Sequence, residues 1–565
     1  MILVTSALSP THPGLRRNEG QKNNAITLHL SSSSTHYRVL GYRLVASSIH
    51  SKRSHDLSLR SRAARISNDL GAEAVKPKPS KPIISRNSFP PGFIFGAATS
   101  SYQIEGAWDK DGKGPSIWDH YCHTYPERIK DGSNGDVAVD SYHLYEEDVK
   151  MLKNMGMDAY RFSICWPRIL PNGTVQGGIN LKGIEYYNNL INLLKEHDIE
   201  PYVTLFHWET PQALDEKYGS FLSSSIVQDF KEYAKVCFDN FGDRVKHWFT
   251  FNEPYVFCCN AYGIGKHAPG RCSSAQECAV PLGDSLVEPY TAGHNLLLAH
   301  AEAADLYKRH HNSDGGQIGM ALVSMGYAPY DTMHFVNAQA QARSIDYNLG
   351  WFLEPIVRGD YPFSMRSLVG DRLPFFTDEQ QKKIVGSYDM MGLNYYTSRF
   401  STNIDISPSF SPVLNTDDAY SLVGITGPDG KPIGPNTGTD WLYSYPDGLK
   451  DLLTIIRDKY GNPPVYITEN GVGDMDDGTL TPEAAKKDTT RLKYLQDHIA
   501  ILNESIELGA NVRGHFTWTL VDNFEWQNGF TQRFGLIYVD HKNGFERSMK
   551  DSAKWFAQFN QAKNK

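Results

Sequence analysis

The sequence predicts an α/β protein built as a single (β/α)8 barrel with elaborated βα loops, and three observations predict it. From residue 90 onward, short β-rich runs alternate with segments of helical period through eight rounds, the pattern of parallel strands joined by helical crossovers. Nearly every run ends on a polar or aromatic side chain, as expected where strand ends build the functional face of such a barrel. The first run leads into "GAATSSYQIEG", not the glycine-rich phosphate loop that a doubly wound open sheet, the competing architecture, would carry.

The strands follow in order. "FIFGAATSSYQ" ends on Gln103, "DAYRFSICW" carries Arg161 and Trp166, and "EPYVTLFHW" ends on His207 and Trp208. "VKHWFTFNE" stops on Asn252 and Glu253, "GQIGMALVS" is small and apolar, and "DMMGLNYYTSR" carries Tyr396. "PPVYITEN" stops on Glu469 and Asn470, and "VRGHFTWTLVDN" contains Trp518. Between them, "YEEDVKMLKNMGM", "GIEYYNNLINLLKEH" and "TRLKYLQDHIAILNESIELG" place apolar residues at three- and four-residue steps, the stripe of a helix packed on a sheet.

The first 82 residues are of another kind. Residues 1–70 hold ten Lys and Arg against three acids, with runs such as "SSSSTHYR" and "RSRAARIS", the profile of a plastid transit peptide. A secretory signal would need a continuous apolar core that "MILVTSALS" does not supply. "KPKPSKP" then forms a proline-rich linker, and folded sequence begins near Phe89. A secreted or vacuolar destination is the alternative, and only there would the sequons at Asn172 and Asn503 carry meaning. The formal charge of -8 argues against nucleic acid as a partner. No apolar run approaches the ~18 residues of a membrane helix. Seven cysteines leave at least one thiol unpaired within the chain, and adjacent Cys258 and Cys259 read as buried small apolar residues. The closest pair, Cys272 and Cys278, could close a short loop. No cysteine, histidine or carboxylate spacing suggests a metal site, and no cofactor motif is present.

Two strands share an unusual ending. "TFNEP" and "YITENG" both stop on a glutamate beside an asparagine, at Glu253 and Glu469. Strands four and seven of a barrel can present these carboxyls to each other across its mouth. Paired carboxylates flanking a bond are what glycoside cleavage requires, one ionised to attack and one protonated to release the leaving oxygen.

With "FGAATSSYQIEGAW", "FHWETPQAL", "NYYTSR", "RGDYPFSM" and "DNFEW" added, residues 88–562 resemble glycoside hydrolase family 1, and within it the plastid-targeted β-glucosidases of grasses that hydrolyse defence glucosides. The resemblance implies a TIM-barrel catalytic domain and a retaining β-glucosidase with no cofactor. It implies Glu469 as nucleophile and Glu253 as general acid/base, with carboxyls about 5–5.5 Å apart. Arg161 and Tyr396 fall beside Glu469 by the family pattern; both favour its ionised form and are expected to lower its pKa, while repulsion from Glu469 keeps Glu253 protonated. A glutamate at position 253, where the thioglucosidase branch has glutamine, implies O-glucosides. Gln103, His207, Asn252 and Glu525 match the family's contacts to glucose hydroxyls, Asn252 to the 2-OH, with Trp518, Trp526 and Phe534 as walls.

At the aglycone end Trp441 matches the family's aromatic platform. Asn260, His267 and Gln527 stand where close relatives often carry rings, which disfavours a purely aromatic slot and favours a wider or more polar aglycone, a steroidal one included. Glu209 and Cys165 stand where relatives usually have Asp and Ser. Cys272 and Cys278 match the family's disulfide loop at this entrance. The implied partner is a small-molecule β-glucoside, and relatives often form homo-oligomers. The same glutamates would serve a transglucosidase. From a different class, a non-catalytic glucoside-binding or aggregating barrel is disfavoured because both carboxylates are intact.

Overall fold

All eight β-rich runs pair in sequence order into a closed parallel barrel: β1 (Ile94–Ala98), β2 (Ala159–Ser163), β3 (Glu200–Phe206), β4 (His247–Asn252), β5 (Gln317–Val323), β6 (Met390–Asn394), β7 (Val465–Asn470) and β8 (Val512–Trp518). The computed structural model of the chain describes residues 84–310, 315–407 and 409–561. The leader and linker expected over residues 1–82 lie outside the described residues.

The three amphipathic segments form helices within a few residues of their expected bounds: Ser141–Asn154, Leu181–Glu196 and Thr489–Glu507. Each turns its apolar stripe inward, as with Tyr187, Ile191 and Leu194 of the second. The barrel interior is filled, not hollow. Its lower layer is aromatic, with Tyr202 stacked on His247 at 4.1 Å and packed against Phe516 and Tyr466 at 4.9 and 5.4 Å.

Strand register decides what sits above that layer. Arg161 lies beside Tyr202, Asn252 beside Ala321, Asn394 beside Glu469, and Ala98 beside both Arg161 and Trp518. The ends of β1, β2, β4, β6, β7 and β8 therefore meet on one rim. Long βα segments rise around it. A three-stranded sheet (Gly326–Pro329, Ser398–Asn403 and Ser421–Gly424) is built from the segments that follow β5 and β6. The strand pair Ile537–Asp540 and Glu546–Met549 follows β8. Buried ion pairs tie the β8 segment down: Lys550 Nζ lies 2.6 Å and Arg533 2.9 Å from the Asp522 carboxylate, three residues before Glu525. Among the described residues no helix is long and apolar enough to cross a membrane.

Candidate active site

Glu469 is the penultimate residue of β7, fully buried, and its turn is forced by what packs there. A β-carbon on Gly471 would stand 1.8 Å from the carbonyl oxygen of Trp518, so only glycine lets the chain leave the strand at this point. Arg161 from β2 donates to Glu469 Oε1 at 2.8 Å, and the Tyr396 hydroxyl donates to Oε2 at 2.7 Å. The same guanidinium donates to Asn252 Oδ1 at 2.7 Å and to Thr204 Oγ1 at 3.2 Å, so Arg161 is itself held from three strands.

Glu253 ends β4 by a different device. Pro254 removes the next backbone donor, and Glu253 adopts a left-handed backbone with φ of 44° and ψ of 58°. For a non-glycine residue this conformation is strained, a cost met at sites where a side chain must be aimed. The Glu253 amide still reaches Ala321 O at 2.8 Å, and its carboxylate takes one hydrogen bond, from Asn394 Nδ2 at 2.9 Å. Asn394 also donates to Asn252 Oδ1 at 3.1 Å and accepts from Thr468 Oγ1 at 2.6 Å. It is a member of the site that sequence reading missed, though "LNYY" carried it.

The two carboxyls have unlike surroundings. Burial, then the charge of Glu469, push Glu253 up to about 8. Burial also raises Glu469, which corrects the expectation that Arg161 and Tyr396 lower it: a carboxylate removed from water loses more than the cation and phenol return. Burial, not Glu469, is likewise the larger cause of the Glu253 shift. The sequence does not show how deeply a strand end will be buried, and that depth sets the sign. The asymmetry survives. Glu469 has a guanidinium and a hydroxyl on its oxygens, Glu253 an amide alone, so Glu469 ionises first and Glu253 keeps the proton. Tyr396→Phe removes the hydroxyl from Oε2. We expect kcat to fall about 10–100-fold, the worth of a hydrogen bond to a charged group, and the acid limb of a pH–rate profile to move to higher pH.

The glutamates line a cavity of about 690 Å³ together with thirteen of the fifteen residues expected from sequence, themselves included. The two absent are Arg161, which stands behind Glu469, and Gln103. The latter sits on a one-turn helix, Ser101–Ile104, not at a strand end, and is fully buried. Its amide donates to Phe524 O at 2.8 Å and lies 3.4 Å from Glu525 Oε2. Burial, with repulsion from Glu469, raises Glu525 to about 7.

His207, held well below its ordinary pKa by burial and by the Arg161 charge, is neutral. Its Nε2 accepts from Asn252 Nδ2 at 3.1 Å, which puts the proton on Nδ1, an atom without a partner among the described residues. Trp208, Trp518 and Trp526 close the inner wall. Trp208 donates to Asn252 O at 2.9 Å, and its ring packs on Trp526 at 4.6 Å. Phe534 is buried against Tyr396. Toward the entrance, Trp441 packs edge-on to Tyr396, and Asn260, His267 and Gln527 lie together. Val256, Val323, Ser324, Met325 and Thr397 also line the cavity and were not anticipated, because small and apolar side chains carry no chemical signature in a sequence.

Cys272 and Cys278 form the disulfide expected from resemblance. It closes the segment after His267, which is pinned by Arg271 N to Ala261 O at 2.9 Å. Cys122, Cys165, Cys237, Cys258 and Cys259 are free and buried. Among the described residues no three His, Cys, Asp or Glu side chains are grouped to hold a metal ion.

Residues 85–565 match the family model described as Glycosyl hydrolase family 1. The chain is 59% identical over 567 residues to the chloroplastic 4-hydroxy-7-methoxy-3-oxo-3,4-dihydro-2H-1,4-benzoxazin-2-yl glucoside beta-D-glucosidase 2 of Zea mays, covering 100% of this chain and 98% of that protein. It is 57% identical over 565 residues to Avenacosidase 2 of Avena sativa, covering 100% and 95%. Among solved structures, the rice Os3BGlu6 beta-glucosidase, one variant of which is described as a covalent complex with Glc, superposes with a TM-score of 0.82 at 44% identity, covering 84% of this chain and 99% of that one.

Proposed function

The chain belongs to glycosyl hydrolase family 1 and is a β-glucosidase, and from that premise we propose that Glu469 is its nucleophile, Glu253 its acid/base, and plant defence O-glucosides its substrates. The observation that carries this reading is the unequal clamping of two carboxyls on one cavity, with a cation and a phenol on Glu469 and a lone amide on Glu253.

In the first step Glu469 attacks the anomeric carbon while Glu253 gives its proton to the glycosidic oxygen, so the aglycone leaves as an alcohol. The negative charge of Glu469 is consumed in the ester bond. With it goes the repulsion that helped hold the proton on Glu253, whose pKa falls. Glu253 then takes a proton from water, which attacks the same carbon and returns glucose with its configuration retained.

The polar set takes the sugar. Asn252 has one N–H committed to His207 and one to spare, the geometry of a donor to a ring hydroxyl. Neutral His207 and the carboxylate of Glu525 line the same cavity, the carboxylate adding an acceptor. Hydrogen bonds of this kind that tighten as the ring flattens lower the barrier and do not merely bind substrate.

At the far end, three polar side chains among the rings favour an aglycone wider or more polar than a small flat bicycle, a steroidal one included. The maize and oat relatives bear different names, a benzoxazinyl glucoside β-glucosidase and an avenacosidase, which supports an aglycone end that varies on one scaffold. The plastid is the proposed location, supported by the basic serine-rich leader and by the "chloroplastic" names of relatives. Incubating the purified enzyme with extracted plant glucosides should remove one hexose from bulky or polar members, read by mass spectrometry. Strong selectivity for small flat aglycones would defeat the aglycone assignment, and an extract left unchanged would defeat the substrate class.

A further inference from the structure

Three polar side chains share the entrance of the cavity, and their hydrogen bonds do not close on one another. Nε2 of His267 lies 2.8 Å from Oε1 of Gln527 and 3.4 Å from Nδ2 of Asn260. A nitrogen of a neutral imidazole either donates one proton or accepts at one lone pair. Given to Gln527 at the shorter distance, that proton leaves the amide of Asn260 facing another donor.

The ring cannot turn to serve both. It is buried and wedged between Trp118 at 5.5 Å, Trp208 at 5.1 Å and Trp526 at 6.2 Å. Burial also holds His267 down to about 3, so no second proton arrives in the working pH range. Among the described residues, Oδ1 of Asn260 and Nε2 of Gln527 therefore have no partner, and both side chains line the cavity. Neighbouring hydroxyls differ. Ser324 Oγ already donates to Met325 O at 2.9 Å, and Thr397 Oγ1 to Tyr443 O at 2.8 Å.

We propose that this end of the site selects aglycones carrying free hydroxyl groups near the glycosidic bond, read by Asn260 and Gln527 with His267 as their brace. The proposal rests on the reading of this cavity as a β-glucoside site. Its logic is one of matching. A hydroxyl both donates and accepts, so it satisfies the carbonyl of Asn260 and the amino group of Gln527 alike. A methyl ether only accepts, which serves Gln527 and leaves the Asn260 carbonyl stripped of water with nothing in return. A bare ring satisfies neither. Sites built to hydrogen-bond a hydroxyl reject the analogue that lacks it more strongly than apolar pockets reject an added one. The hydroxyls could belong to a hydroxylated ring system or to a second sugar, and the chemistry read by the two amides is the same.

The test uses the purified enzyme on pairs of aryl β-glucosides whose rings differ only by a hydroxyl or a methoxy group in the meta position, where the acidity of the leaving phenol hardly changes. The hydroxyl member should be favoured about 10–100-fold in kcat/KM, the effect of one unmatched buried acceptor. Asn260→Leu and His267→Phe should each shrink that ratio severalfold or more, whereas Gln527→Leu, which removes a donor that both members accept from, should slow both alike and leave the ratio standing. Gln527, only partly buried, is the position whose variant folds even if the buried ones do not.

β-Linked glucobioses form the second arm. Turnover faster than that of the hydroxyaryl glucosides assigns a sugar as the natural source of the hydroxyls, and the reverse assigns a hydroxylated ring. Equal rates within each wild-type pair, a ratio that survives in the Asn260→Leu enzyme, or a Gln527→Leu enzyme that turns over both members as fast as the wild type, would overturn the proposal alone. Failure to cleave any β-glucoside would remove the glucosidase reading and this one with it.

Discussion

Glu469→Ala, which removes the proposed nucleophile, should lower the rate of aryl β-glucoside hydrolysis roughly 10⁴-fold or more, and what remains should carry a stereochemical signature. The side chain is buried in contact with Arg161 and Tyr396, so truncation leaves a small space lined by a guanidinium and a phenol hydroxyl. That space suits a small anion. Azide or formate entering it would stand where the carboxylate stood, on the face of the sugar opposite the aglycone, with Glu253 still able to protonate the leaving oxygen. One displacement then occurs instead of two, and the product is the α-glucosyl adduct. Addition of azide should restore turnover in a concentration-dependent way, and the anomer is read directly by NMR. A β-glucosyl product from this variant would mean that Glu469 is not the attacking group. Full hydrolytic activity without azide would mean the same.

Much of this site was legible in the sequence because barrel topology turns strand ends into a list. Glu253, Glu469, His207 and Trp518 end or directly follow strands, and the chain order of the strands is their order around the barrel. Motif resemblance supplied what topology could not, namely that Glu525, Trp526, Phe534 and Trp441, all on long connecting segments, return to the same cavity. Gln103 was mislocated onto a strand because "GAATSSYQ" reads as continuous β sequence, whereas the strand ends at Ala98 and the chain turns into a short helix.

What stayed hidden was relational. Asn394 is one asparagine among many until the register of β6 on β7 sets it beside Glu469 and within 2.9 Å of Glu253. The left-handed backbone of Glu253 has no signal beyond the following proline. The sign of the Glu469 shift depended on burial, a property of the whole fold, and local chemistry alone gave the wrong answer. The mutual frustration of Asn260, His267 and Gln527 includes a contact between His267 and Gln527, 260 positions apart, and could be seen only once they were placed together.

Glu253→Gln should separate the two halves of the reaction. Its carboxyl is held up to about 8 by burial and by Glu469, so in the native enzyme kcat/KM should be sustained below that pH and fall as the pH rises through it, because the proton needed by the leaving oxygen is lost. The acid side has the opposite sign: activity falls as Glu469, raised above the usual carboxylate value, takes up a proton and can no longer attack. Glutamine cannot supply a proton to the aglycone, so a glucoside with a poor leaving group should lose about 10²–10⁴-fold in rate, the worth of general acid catalysis. A dinitrophenyl glucoside, whose leaving group needs no proton, should lose little in the first step, and the alkaline limb should vanish with it. The second step has no such escape, since water must be deprotonated. The glucosyl–enzyme therefore accumulates, giving a burst of phenol and a mass increase of one glucosyl unit on Glu469. Azide accelerates turnover here too, but it attacks an intermediate already inverted once, so the product is the β-glucosyl azide. Opposite anomers from two variants on one cavity would establish which glutamate attacks and which delivers the proton. The same anomer from both would reject the division of labour, however complete the loss of activity.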